Sequence, residues 1–234
     1  MEDQREDINA LLANLAEELQ MGDDEPYEIA STVASMMYEE FKRNGIKEQI
    51  DMAISFAQIS LRYEHHKPEI TNRLLSNLGA LLGSRYERTR EIIDLEEAIQ
   101  VARQAVASTP EDHSNLASYL NNLGNWLGSR YERTRDMTDL EEAIQIARQA
   151  VASTPKDHSD LAGPLNNLGN WLGSRYEQTG DMTDLEEAIQ VARRAIASIP
   201  EDHSNLATCL NSLGNRLGSR YKRTGDMTDL EEAI

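Results

Sequence analysis

Leu116, Leu120, Leu123, Leu127 and Tyr131 fall at steps of four, three, four and four along the chain. That spacing returns to one face of a 3.6-residue helix. It predicts a helix over about 115–133, roughly 28 Å long at ~1.5 Å per residue, with Ser114 as its N-cap. A second helix follows. Thr138 and Glu141 have capping-box spacing, and Ala143, Ala147 and Ala150 make a thin face that a neighbour can approach closely. Pro155 prevents continuation. Gly180 stands where a left-handed C-terminal cap ends the first helix of one copy. Arg90 and Arg135 hold that place in two others, so the cap is not expected to be uniform.

The helix pair repeats. Leu-Gly pairs at 78–79, 123–124, 168–169 and 213–214 are each 45 apart, and Pro110, Pro155 and Pro200 keep the same step. Residues 116–160 and 161–205 are identical at 35 of 45 positions. The capping-box pairs recur as Thr183/Glu186 and Thr228/Glu231. Residues 71–115 have Ile93 there instead, so that helix should start more weakly by ~1 kcal/mol. Pro164 falls in the first turn of its helix, where a missing N–H costs little. A fainter copy occupies 26–70, with Phe41 one step before Tyr86. The units are therefore 26–70, 71–115, 116–160, 161–205 and a partial unit at 206–234. Residues 1–22 read as a separate acidic helix, with Ile8, Leu11, Leu12, Leu15 and Leu19 at helical spacing, placed to cover the open end of the first unit.

The chain closes on "DMTDLEEAI", the start of a helix completed at 136–155 and 181–200. A helix that short is not stable alone, so residues 206–234 are read as part of a longer array.

Charge narrows the partners. The net charge is −18 and the pI about 4.6. Such a surface repels phosphate backbones and anionic bilayers, so neither nucleic acid nor membrane is expected as a partner. Residues 1–70 carry 16 acidic and 6 basic side chains, so this third differs in character from the rest. Cys209 is the single cysteine, which rules out an intrachain disulfide and suits a reducing, cytoplasmic setting. It reads as a small buried residue.

The repeat resembles the tetratricopeptide repeat (TPR). Leu120, Leu123-Gly124 and Leu127 match its first helix; Ala143, Ala147, Ala150 and Pro155 match its second. The unit is longer than the family's about 34 residues, with the extra length at "GSRYERT" and around "KDHSDLAGP". The resemblance implies an all-α, right-handed α-solenoid of helix-turn-helix repeats, whose first helices line a concave groove. It implies a non-catalytic scaffold that binds a protein or peptide. The long variant resembles arrays in large fungal proteins that accompany a CHAT-type protease or a nucleotide-binding switch domain. The alternative is therefore a sensor or regulatory arm of a larger enzyme. Self-association through an uncapped C-terminal end is a further reading.

On the implied groove, Asn121, Asn125, Asn166, Asn170, Asn211 and Asn215 offer amides to a peptide backbone. Arg130 and Arg175 would take an acidic side chain, and Trp126 and Trp171 would anchor apolar ones. The structural alternatives stay open: asparagines closing inter-helix hydrogen bonds, and tryptophans packing between units. No catalytic site, cofactor or metal is expected. His113, His158 and His203 lie on separate turns roughly 10 Å apart, whereas zinc needs ligands at about 2.0–2.3 Å. His65-His66 reads as solvated. Glu96-Glu97 and its copies lie in first turns, where carboxylates favour the helix dipole.

Overall fold

The computed structural model describes residues 2–21, 25–63, 67–155, 161–200 and 205–232. The described residues contain helices and short connections and no strand. They form two compact units, residues 1–109 and 110–234. His65, His66, His158 and His203 lie outside the described residues.

The first unit holds α1 (Glu2–Leu19), α2 (Pro26–Asn44), α3 (Lys47–Leu61), α4 (Pro68–Thr89) and α5 (Ile92–Ala107). Two-residue connections fold α2 onto α3 and α4 onto α5, and α3 packs on α4. From α1, Leu12 and Ala16 pack on Ile29 and Ala30, with Ile8, Leu15, Phe56 and Ile59 around them.

The second unit holds α6 (Leu116–Thr134), α7 (Met137–Ser153), α8 (Ala162–Thr179), α9 (Met182–Ala197), α10 (Leu206–Thr224) and α11 (Met227–Glu232). The predicted bounds of the first helix of this unit, 115–133, lie one residue N-terminal to those of α6 at each end. Here α7 packs on α8 and α9 on α10, while α6 meets α8 and α8 meets α10 side by side. The alanine stripe explains the close approach within a hairpin. A Cβ added at Gly124 would lie 3.5 Å from Ile146 Cγ2 and 3.8 Å from the Ala143 carbonyl oxygen, so α6 rides almost directly on the α7 backbone. Ala143, Ala147 and Ala150 are all buried there.

Three terminal features differ from the sequence expectation. The N-cap of α6 is Asn115, not Ser114, and its side chain makes no capping bond. Its backbone N–H donates instead to His113 Nδ1 at 3.1 Å, which gives that histidine a loop role. The capping box is also displaced. Helices α7, α9 and α11 begin at methionine, and Asp136, Asp181 and Asp226 accept from the backbone N–H of Thr138, Thr183 and Thr228 at 2.9, 2.9 and 3.0 Å. The chain turns two residues earlier than the Thr/Glu spacing implies, so each threonine is already inside the helix. At α5 the equivalent N-cap is Glu91, which makes no side-chain cap.

The third difference is the left-handed cap, which is uniform after all. Gly45, Arg90, Arg135, Gly180 and Gly225 have φ of 69°, 61°, 62°, 72° and 75°. Each donates its N–H to a carbonyl four residues back, at 2.7 Å. Arg90 and Arg135 adopt a conformation that costs an L-residue roughly 1–2 kcal/mol. Their guanidinium groups lie 5.6 Å over the rings of Tyr86 and Tyr131, which returns part of that cost. Arg135→Gly is expected to stabilise the chain by about 0.5 kcal/mol, the conformational gain less the cation–π loss. A urea midpoint that falls would show that the ring contact outweighs the backbone strain.

Helix α11 is tethered at both ends. Arg220 holds Asp229, and Arg193 on α9 grips Glu232 through Nε and Nη2 at 2.9 and 2.6 Å. These tertiary contacts order a helix too short to stand alone.

Candidate functional site

The sequence places its candidate binding residues on α6, α8 and α10, and the structure divides them into three groups. The arginines are engaged within their own hairpins. Arg130 donates through Nε and Nη2 to the two carboxylate oxygens of Asp139 at 2.9 and 2.6 Å. Arg175 holds Asp184 in the same way at 2.8 and 2.6 Å. Arg220–Asp229 and Arg85–Asp94 repeat the clamp, and Arg85 adds Asp51 at 2.8 Å. The four clamped aspartates are buried. Hydrogen bonds donated to Asp94, Asp184 and Asp229 push the guanidinium pKa values of Arg85, Arg175 and Arg220 further up. These pairs fasten the end of each first helix to the start of the second.

The asparagines split. Asn167 Nδ2 donates to Asn121 Oδ1 at 2.9 Å, bridging α8 and α6. Asn170 Oδ1 lies 3.4 Å from both Ser212 Oγ and Arg216 Nη2 of α10. Asn211 and Asn215 are exposed on α10, and Asn125 and Asn166 are half-buried. The tryptophans pack. Trp171 is 8% exposed and lies over Gly128 of α6, where an added Cβ would meet its ring at 2.1 Å. Trp126 is half-buried, and the Nε1 atoms of both rings are buried without a hydrogen-bond partner. Arg216 holds the tryptophan position in α10 and lies over Gly173. Burial pushes its pKa down, only partly offset by Glu177.

A partly enclosed concavity lies elsewhere, in the first unit. A cavity of about 180 Å³ sits among α2, α3 and α4. Ser31, Ser35 and Tyr38 of α2 face Asn77, Ala80 and Leu81 of α4 across it. Tyr38 Oη and Ser84 Oγ lie 2.8 Å apart, which fixes the tyrosine ring. None of these residues stood out in the sequence: Ser31, Ser35 and Tyr38 lie in the divergent copy, and Asn77, Ala80 and Leu81 are ordinary residues of the next one. The signal was there as small side chains at positions that later copies fill with large ones.

Nothing else among the described residues assembles a reactive centre. No group of three or more His, Cys, Asp or Glu side chains converges on a metal position. Cys209 is buried, and burial pushes its thiol pKa up, away from a reactive thiolate. Among the described residues no helix is long and apolar enough to cross a membrane.

The chain is similar in fold to several solved structures. BtubC (BKLC) from P. vanneervenii is 20% identical, with a TM-score of 0.63 over 98% of this chain and 87% of that one. A putative kinesin light chain of Podosopora anserina, with nearly identical TPR-like repeats, is 15% identical with a TM-score of 0.59, over 87% and 94%. YrrB, described as a TPR protein with an unusual peptide-binding site, is 15% identical with a TM-score of 0.57, over 95% and 90%. No curated protein matches the chain. The tetratricopeptide repeat profile matches residues 73–115, 116–160, 165–204 and 206–234. With most of its length matched in four consecutive copies, the chain belongs to the tetratricopeptide repeat family.

Proposed function

We propose that the chain is a non-catalytic scaffold that binds a protein or an extended peptide along its first-helix faces. The observation that carries this reading is the open cavity among α2, α3 and α4, where hydroxyl, amide and apolar groups converge. Ligand pockets combine an apolar recess with a few placed polar groups that fix orientation, and a single peptide side chain can use such a recess in the same way. The second unit, by itself, offers similar amide chemistry through the half-buried Asn125 and Asn166 and the exposed Asn211 and Asn215. Arg130, Arg175 and Trp171 serve that face as supports, since each is engaged by a neighbouring element. YrrB, with its peptide-binding site, supports the use of this fold for peptides.

The test is selection of random peptides displayed against the full chain, followed by calorimetry on the enriched sequences. Tyr38→Ala and Asn77→Ala are expected to weaken binding by about tenfold or more, as truncation of a central contact does. Glu96→Ala, on the exposed face of α5, should leave it unchanged. Enrichment of no peptide, or equal losses from all three variants, would remove the reading.

A further inference from the structure

The repeat register supplies an internal comparison. The left-handed caps at Gly45, Arg90, Arg135, Gly180 and Gly225 keep one constant step. Each residue of α2 therefore has its counterpart two steps on in α6, and each residue of α4 in α8. Where α6 and α8 carry Asn121, Asn125, Asn170 and Trp171, α2 and α4 carry Ser31, Ser35, Ala80 and Leu81. Every one of these is smaller than its counterpart.

The main exchange in the other direction is Tyr38, the counterpart of Gly128. In the second unit Gly128 leaves room for the Trp171 ring, and α6 and α8 close on it. In the first unit Tyr38 stands at that place, and α2 and α4 approach each other less closely. Leu81 does not fill the space that results. Beside Leu81, the counterpart of Trp171, the first unit has an open cavity of about 180 Å³ that Tyr38 borders. A cavity on the order of 150 Å³ accommodates a benzene ring.

We propose that the cavity between α2 and α4 takes an aromatic side chain of the bound peptide, tryptophan foremost. This deepens the binding reading above and rests on it. The chemistry of the walls fits. Ala80 and Leu81 offer apolar contact to the ring faces, and the Tyr38 ring, fixed through Ser84, offers an aromatic wall. Asn77 is exposed at the rim, where its amide oxygen can accept from an indole N–H. Its counterpart Asn167 donates to Asn121. In the first unit that partner position is the shorter Ser31.

The probe is N-acetyl-tryptophanamide, titrated into the full chain and followed by methyl NMR. Saturable shifts are expected at the Ala80 and Leu81 methyls, with affinity about fivefold above that of N-acetyl-leucinamide, the advantage an aromatic contact gives. Leu81→Trp, which restores the residue of the second unit, should abolish them. Because Tyr38 restricts that ring, Ser35→Asn/Ala80→Asn serves as a second, milder filling variant and should weaken them strongly. Absence of saturable shifts, equal shifts with the leucine amide, or shifts that survive both filling variants would overturn the proposal. If display-selected peptides bind the filled chain as well as the original, the aromatic pocket fails while the groove reading stands. If no peptide is selected at all, the groove reading itself fails.

Discussion

Gly128→Ala is expected to destabilise the second unit by about 2 kcal/mol, although alanine is the better helix former by ~1 kcal/mol. The added Cβ would lie 2.1, 2.2 and 2.6 Å from Cζ2, Cη2 and Cε2 of Trp171. That ring is rigid and buried between α6 and α8, so relief requires moving a helix or expelling the indole. The same position in the next two repeats should behave differently. At Gly173 the Cβ would meet Arg216, with Cζ at 2.2 Å. The arginine is flexible, and its Nε is buried without a partner, so swinging the head group toward water costs little. Gly173→Ala should be near neutral. At Gly218 nothing lies within 4 Å, and alanine should stabilise by up to about 1 kcal/mol. Urea unfolding of the three variants, followed by circular dichroism, reads the series directly. Trp171→Leu should cost less in the Gly128→Ala background than alone, since the clash is then absent. Three equal shifts, or strict additivity in the double variant, would show that the indole is not seated on Gly128.

The elements legible in the sequence were those set by local periodicity. The leucine stripe placed α6 to within a residue at each end, and the alanine stripe identified the face of α7 that meets Gly124. The 45-residue step was visible without any structure. What escaped was set by partners on another element. The pairing of Arg130 with Asp139 and of Arg175 with Asp184 was not legible, because the aspartates lie across a turn that helical spacing does not cross. Thr138 and Asp136 both have capping side chains, and only the path of the backbone decides between them. Arg135 in a glycine conformation is a case where position in the repeat overrides residue preference. The cavity between α2 and α4 escaped for a different reason. Ser35 and Leu81 are unremarkable until they are aligned with Asn125 and Trp171.

Asp139→Ala is expected to cost about 2–3 kcal/mol, somewhat below the range for a fully buried pair. The Asp139 side chain is 7% exposed and that of Arg130 25%, so removing the carboxylate takes two charge-assisted hydrogen bonds from a guanidinium that is largely shielded from water. Replacing both partners by apolar residues, as in Arg130→Met/Asp139→Leu, should cost less than the single change, because no charge is left unpaired. A single change worth less than about 0.5 kcal/mol would mean that the pair behaves as a surface contact. Acid should loosen the same junctions. The Arg220 guanidinium holds the Asp229 carboxyl below the usual carboxylate range. The backbone N–H and then the hydroxyl of Thr138 and Thr183 do the same for Asp136 and Asp181. A carboxyl whose folded pKa is depressed stabilises the fold fully above its unfolded value of about 3.9 and loses that contribution as pH falls through the folded value. Exchange protection at the first amides of α7, α9 and α11 should therefore fall below about pH 4, before the Leu120 and Leu127 core of α6 opens. Simultaneous loss in both places would mean that the aspartates do not hold the hairpin junctions independently of the core.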